Sequence, residues 1–375
     1  MNDTIKKYLL KRAENNWKLQ PTPKKNNYSF VICIPSYCED QYIDKTLNSI
    51  CNQNSNILKK TLIIIVINNG PNKNRKTLES NLKTISIIKS FSLLNICIVD
   101  AFTSGNELPQ KQAGVGLARK IGLDLSLKFC DKNSILCNLD ADTIISPNYL
   151  KTIEKYYKQN NSYAAVINFS HYQSKNQKLT EAIKVYEKFI KHTSKNLKKS
   201  NSPYYYHSIG STITSTALAY AAVGGMTKKI ATEDFYFLES LSKYRSVDII
   251  EDILVFPSSR ISDRVYLGTG YRMKQSHSGF DLNKLFFNDQ IFILLKKWLE
   301  LGTNCKNKHI NFVLMEAKKI HSDLPIFLIN EKIKNVWIGL QKSSPSEKHF
   351  IMQFHRWFDA LKTLRFLKYY SKVYP

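Results

Sequence analysis

The sequence predicts an α/β protein: a mostly parallel, doubly wound sheet flanked by helices, followed by a helical C-terminal extension. Three observations carry this. Short β-branched apolar runs alternate with segments of helical spacing from Tyr28 to Phe169, the pattern of strands joined by crossover helices. These runs end in polar or turn-forming residues, and ligands of such sheets bind beyond the carboxyl ends of the strands. From Asp281 onward the apolar spacing is helical only.

In chain order, residues 1 to 27 read as a short basic helix carrying Lys6, Lys7, Lys11 and Arg12, broken at Pro21-Thr22-Pro23 and followed by a polar linker. Tyr28 to Ile34 is a strand stopped by Pro35, and Asp44 to Cys51 is helical. Thr61 to Ile67 is a strand ending in Asn68-Asn69-Gly70, a strong turn signal. Leu93 to Val99 is a strand, Gly114 to Leu127 a helix, and Ile135 to Leu139 the strand that leads into Asp140-Ala141-Asp142. Tyr149 to Tyr157 is a helix and Tyr163 to Phe169 a strand. Ser211 to Val223, rich in small residues, reads as a helix before Gly224-Gly225. Phe235 to Leu241 is a helix, Val247 to Ile250 and Ile253 to Phe256 are strands, and Leu282 to Leu299 and Phe350 to Tyr370 are helices. The expected domains are a basic helical extension, 1–27; an α/β domain, 28–270; and a helical extension, 271–375.

Bulk properties narrow the class. With 375 residues and 43% hydrophobic content the chain can bury a large core. No stretch reaches the ~18 consecutive apolar residues of a membrane span, and the N-terminus lacks the apolar segment of a secretory signal. A cytoplasmic protein is expected. The seven cysteines, with no C-x-x-C pair, read as mostly reduced, structural thiols. The net charge of +25 fits compositional drift, or attraction to anionic substrates, lipid headgroups or nucleic acid.

Two acidic clusters carry the chemistry. In extended backbone, residues two apart project to one side, so Asp140 and Asp142 can present both carboxylates at a strand end. Hard anionic oxygens suit Mg²⁺ or Mn²⁺ already carrying phosphate oxygens; the alternative is a simple Asp turn. Far downstream, Thr232-Glu233-Asp234 offers a separate carboxylate base, or an acidic first turn that complements a helix dipole.

In company, these segments resemble the family 2 glycosyltransferases of the GT-A fold. Val31-Ile32-Cys33-Ile34-Pro35-Ser36-Tyr37-Cys38-Glu39 is similar to the opening strand of that family, whose loop holds the nucleotide; the resemblance implicates Pro35, Tyr37 and Glu39. Ile64 to Gly70 resembles the second strand, with Asn68-Asn69 where paired aspartates usually stand, so Asn69 is the expected base contact. Gly114 to Gly122 resembles the next helix, with Lys120 in place of the usual Asn, and implies a diphosphate cradle at a helix N-terminus. Asp140-Ala141-Asp142 matches the metal and nucleotide motif: Asp140 toward ribose or a metal-bound water, Asp142 toward the divalent ion. Val223-Gly224-Gly225-Met226 with Thr232-Glu233-Asp234 matches the acceptor segment, implying Asp234 as general base and Glu233 and Gly225 as acceptor-binding residues. One attack on the opposite face implies inversion.

The resemblance spans roughly Tyr28 to Val255 and implies that the 28–270 domain is catalytic, with a nucleotide-binding half (28–142) and an acceptor half (143–270). Beyond it, Arg260 and Arg264 are expected to bind an anionic group, counted here on the acceptor side; the alternative is a surface pair with Asp263. His207 and His277 are candidates for a third metal ligand. Gln353-Phe354-His355-Arg356-Trp357 spells the Q-x-x-R-W string of processive synthases but lies far from Thr232-Glu233-Asp234. Its helix reads as core-packing or as a peripheral membrane contact. The expected function is metal-dependent, inverting transfer from a nucleotide-sugar donor to a glycan or lipid-linked acceptor, in cell-envelope polysaccharide or lipopolysaccharide synthesis at the inner face of the membrane. The rivals are a basic nucleic-acid-binding protein and a sugar-nucleotide-forming nucleotidyltransferase. No nucleic-acid partner is expected.

Overall fold

The computed structural model describes residues 1–172, 176–262, 264 and 266–374. The strands are β1 (Leu19–Gln20), β2 (Phe30–Ser36), β3 (Thr61–Asn68), β4 (Ile96–Ala101), β5 (Ile135–Asn138), β6 (Ile144–Ile145), β7 (Ala164–Phe169), β8 (Ile213–Thr216) and β9 (Asp248–Phe256). They form one sheet in the order β1-β4-β3-β2-β5-β8-β7-β9-β6. Pairing is parallel from β4 through β5, whereas β8 is antiparallel to both neighbours and β6 and β1 are antiparallel edges. The parallel half is the expected doubly wound sheet; the other half is mixed.

Its helices are α1 (Asp3–Lys11), α2 (Ile43–Cys51), α3 (Ser55–Leu58), α4 (Arg75–Lys89), α5 (Val115–Ser126), α6 (Tyr149–Asn160), α7 (Gln177–Lys199), α8 (Ala217–Ala222), α9 (Glu233–Tyr244) and α10 (Thr269–His277). β3 is buried along its whole length and β2 nearly so, as strands covered on both faces must be, which explains their unbroken apolar runs. α5 lies directly on them. A Cβ at Gly122 would come within 2.5 Å of Cys33 Sγ, so only glycine allows this approach.

Within the sheet, two element assignments differ from the sequence reading. Ser211 to Val223 splits into β8 and α8, because Ile213–Thr216 fills the gap between β5 and β7 while Thr216 caps the following helix through Ala219 N. The two short strands after Val247 are the single strand β9, with its register irregularity absorbed opposite Ile167–Phe169.

The contacts divide the chain into two units: 1–187 with 208–282, and 188–207 with 283–375. The N-terminal segment belongs to the first unit. There Tyr8 and Tyr220 donate to Asp124 Oδ1 at 2.7 Å each, and β1 pairs with β4.

The second unit contains α11 (Asp289–Thr303), α12 (Ile310–Ile320), α13 (Leu324–Asn330), α14 (Ile333–Lys342), α15 (Glu347–Trp357) and α16 (Ala360–Tyr370). Its core is aromatic: Trp298, Trp337, Phe350, Phe354, Phe358, Phe366 and Tyr370. The expected helix over Phe350 to Tyr370 is two helices, because Asp359 caps α16 by accepting from Lys362 N at 3.1 Å. Phe354 and Phe358 are fully buried, and the Phe354 ring seats against Gly302. The Gln353 to Trp357 segment therefore packs a core. Of the two readings of this helix, core packing is the one these contacts describe, while Ile351 and Met352 on α15 remain exposed.

Candidate active site

The carboxyl ends of β2 and β5 and the start of α9 bring charged side chains together. After β2 the chain turns through Cys38, at φ +54°, and delivers Glu39 to a buried position. After β5, Asp140 and Asp142 sit in a turn, closed by Thr143 N donating to Asp140 O at 3.1 Å and pinned by Thr46 Oγ1 donating to Ala141 O at 2.8 Å. The extended-strand argument for the pair is thus replaced by a turn, which sends the two carboxylates to different partners.

Arg119 and Arg260 are those partners. From α5, the buried Arg119 guanidinium donates through Nη2 to Asp140 Oδ1 and through Nη1 to Glu233 Oε1, each at 2.5 Å. Arg260 donates through Nε to Asp142 Oδ2 at 2.7 Å and through Nη2 to Glu39 Oε1 at 2.5 Å. Arg264 also reaches Glu39 Oε1. Stacking holds both arginines: Arg260 lies 4.2 Å from the centroid of the Tyr42 ring, and Arg264 lies 5.3 Å from that of Tyr37. Arg260 and Arg264, expected on the acceptor side, thus contact Glu39, Asp142, Tyr42 and Tyr37, residues of which Glu39 and Tyr37 were expected to serve the nucleotide and Asp142 the metal. Asp263, their alternative partner, lies outside the described residues.

Asp234 occupies the first turn of α9, with Oδ1 accepting from Phe235 N at 2.7 Å. Glu233 and Asp234 are adjacent carboxylates in a buried place, and burial raises both above the ordinary carboxylate range while Arg119 pulls them back. Burial likewise pushes Asp142 up to about 7; Arg260 opposes this, and the Glu39 and Asp140 carboxylates add to it.

Three expected site residues lie elsewhere. The Lys120 ammonium is buried, paired with Asp124 Oδ2 at 3.0 Å and donating to Tyr8 Oη at 2.5 Å, so it is no diphosphate contact. Its neighbour Arg119 takes the place at the acidic cluster. The i,i+4 spacing of Lys120 and Asp124 is the sequence signal for that local pairing. Gly225, at φ +75°, lies against α1: a Cβ there would meet Tyr8 Oη at 2.0 Å, so this glycine serves packing instead of an acceptor. The Asn69 amide is engaged within the fold, donating to Gly70 O and Phe102 O and accepting from Asn81 Nδ2. Gly114 and Gly116 admit the backbone of residues 227–230 against the start of α5, which fills the expected phosphate cradle with protein. Pro35 is the penultimate residue of β2, and Tyr37 follows in the exposed turn.

Glu39, Asp140, Asp142, Glu233 and Asp234 face three guanidinium groups, an excess of two negative charges when all are ionised. The donor set is hard carboxylate oxygen, and a metal that also takes substrate phosphates needs only one or two such ligands from protein. The residues fit a divalent cation on both counts. Among the described residues no group of three or more His, Cys, Asp and Glu forms a metal cage, and neither His207 nor His277 completes one. No helix among them is long and apolar enough to cross a membrane.

The profile of glycosyl transferase family 2 matches residues 31–217. No curated protein matches the sequence. Among solved structures, TarS 1–349 of S. aureus in complex with UDP-GlcNAc is 12% identical, with a TM-score of 0.45 over 87% of this chain and 89% of that one. The mannosyltransferase PcManGT from Pyrobaculum calidifontis, in complex with GDP-Man and Mn²⁺, is 12% identical, with a TM-score of 0.45 over 94% and 92%. Likeness at this level leaves ligands and substrates unaddressed.

Proposed function

The chain belongs to glycosyl transferase family 2 through residues 31–217, and from that premise we propose a metal-dependent, inverting sugar transfer from a nucleotide-sugar donor to a hydroxyl of a glycan or lipid-linked acceptor. It is a glycosyltransferase; the metal, the stereochemistry and the acceptor are the proposed parts. One observation carries the reading. Arg119 holds Asp140 of the β5 turn and Glu233 of α9 in a single guanidinium fork, so the acids at the β5 turn and the α9 carboxylates share one centre.

In this reading Asp234 is the general base. It removes the proton from the acceptor hydroxyl oxygen as that oxygen attacks the anomeric carbon opposite the leaving diphosphate, and a single displacement of that kind inverts the centre. Burial raises the Asp234 carboxyl above its ordinary range, and the Arg119 charge favours its ionised, proton-accepting form. Glu233, fixed by the same arginine, orients the acceptor side. Tyr37 and Glu39 face the nucleotide, and Arg260 and Arg264 carry cationic donors suited bidentately to phosphate. Asp142 and Asp140 would hold Mn²⁺ or Mg²⁺, which when bound neutralises charge on the departing diphosphate. A role in cell-envelope polysaccharide synthesis at the inner face of the membrane fits a glycan or lipid-linked acceptor.

A thermal-shift screen of nucleoside diphosphate sugars with and without Mn²⁺ tests this, because a ligand that binds the folded state raises its midpoint. A donor that raises the midpoint only with Mn²⁺ is expected. No shift with any donor would remove the donor assignment, and a metal-independent shift would remove the metal.

A further inference from the structure

The second unit holds under a third of the residues but most of the excess charge: 21 Lys and Arg against 7 Asp and Glu, +14 of the total +25. Part of that charge is ordered in a line. On α7, Lys188, Lys191, Lys195, Lys198 and Lys199 fall at offsets 3, 7, 10 and 11, within an arc of about 100° at 3.6 residues per turn. Lys188, Lys195, Lys198 and Lys199 are exposed, and none of the four has a carboxylate partner among the described residues. Successive lysines stand ~4.5, ~6, ~4.5 and ~1.5 Å apart along the axis.

The other side of the helix is apolar and occupied. Leu197 belongs to the core of the unit, and the Phe189 ring packs edge-on to Phe286 at 5.7 Å. The stripe therefore presents charge with no apolar residue able to enter a lipid interface, unlike a membrane-binding amphipathic helix. Like charges held in a row on a rigid rod repel one another, and the repulsion is relieved by a ligand that carries the opposite charge at similar spacing.

We propose that this lysine stripe docks a linear anionic glycan, one bearing phosphate or carboxylate groups at intervals of a few ångströms, and so sets the acceptor class of the transferase. The inference rests on the proposed transfer to a glycan. The stripe tethers the polymer electrostatically and in no fixed register.

Binding of fluorescein-labelled polyglucuronate and inorganic polyphosphate to the full chain is the test, measured across a salt series. The triple variant Lys188→Gln/Lys195→Gln/Lys198→Gln should bind both polymers at least tenfold more weakly at low salt. Its log-log salt slope should fall by about 2, at ~0.7 per neutralised phosphate. The triple Lys→Arg variant should bind as the parent does, and circular dichroism should find all three equally folded. Unchanged affinity in the Gln variant, or no binding by the parent, would overturn the proposal. So would tighter binding to vesicles containing anionic lipid, or to single-stranded DNA, than to either polymer. The donor thermal shift is run on the same proteins. Polymer binding without any donor shift would leave the stripe standing and remove the transferase mechanism; a donor shift without polymer binding would do the reverse.

Discussion

Arg119 Nη1 donates to Glu233 Oε1 at 2.5 Å across 114 positions of sequence. The second arm of the same guanidinium reaches Asp140, so the arginine fixes the distance between the two acidic segments on which the proposed transfer depends. Its buried charge is held by carboxylates, and theirs by it.

Removing that charge should cost stability and activity together. Arg119→Gln leaves the buried Glu233 and the part-buried Asp140 without their cation, and breaking such a pair costs about 3 kcal/mol or more. Urea denaturation should record that loss. Arg119→Lys should recover stability in part but not kcat, because an ammonium cannot fork to both acids. Full kcat in the Lys variant would reduce the arginine to a structural support.

Asp234→Asn should lower kcat by about 10²-fold or more, with donor binding and unfolding midpoint retained. The side chain keeps its size and its contact with Phe235 N. Transfer at the parent rate would remove the residue as base.

The pH profile gives an independent reading of the same group. Burial raises Asp234 above the ordinary carboxylate range, so a larger share is protonated and inactive at mildly acid pH. kcat/KM should therefore climb with pH through that raised value and level off once the carboxylate is ionised. In Arg119→Gln the cation favouring ionisation is gone, and the rising limb should move to higher pH. A limb at an unperturbed aspartate value, or one indifferent to Arg119, contradicts the assignment.

Excess chelator should abolish transfer and Mn²⁺ restore it, and Asp142→Asn should raise the Mn²⁺ required by on the order of tenfold. The Mn²⁺ signal in electron paramagnetic resonance gives bound metal directly. Parent activity undiminished by chelator would end the metal reading.

Gly225→Ala separates packing from acceptor binding. The new Cβ sits 2.0 Å from Tyr8 Oη at a left-handed φ of +75°, which should cost about 1 to 3 kcal/mol. The unfolding midpoint should drop while KM for acceptor is unchanged below that midpoint. A raised KM with a normal midpoint would return Gly225 to the acceptor site.

The strands were legible wherever burial on both faces forces unbroken apolar runs, as in β2 and β3, because that pattern needs no knowledge of neighbours. β8 was not. Ile213-Thr214-Ser215-Thr216 is a strand because it lies between β5 and β7, a long-range condition absent from its four residues. The acidic candidates were legible because they stand in order among other strand-end segments, since carboxylates at turns and helix starts are by themselves ordinary. Their cations were not: a lysine or arginine in so basic a chain carries little information until its partner is in view.

What the sequence determined by itself is the order of the strand-end segments, the family they mark, and Asp140, Asp142 and Asp234 as the acids to watch. Tertiary structure alone decided which cation meets them. Arg119 and Lys120 are neighbours in sequence but stand about 100° apart around α5. One enters the acidic cluster, and the other turns to Asp124 and to Tyr8 from the far N-terminus. The sequence supplies both charges, whereas the phase of one helix, fixed by its packing on β2 and β3, assigns them.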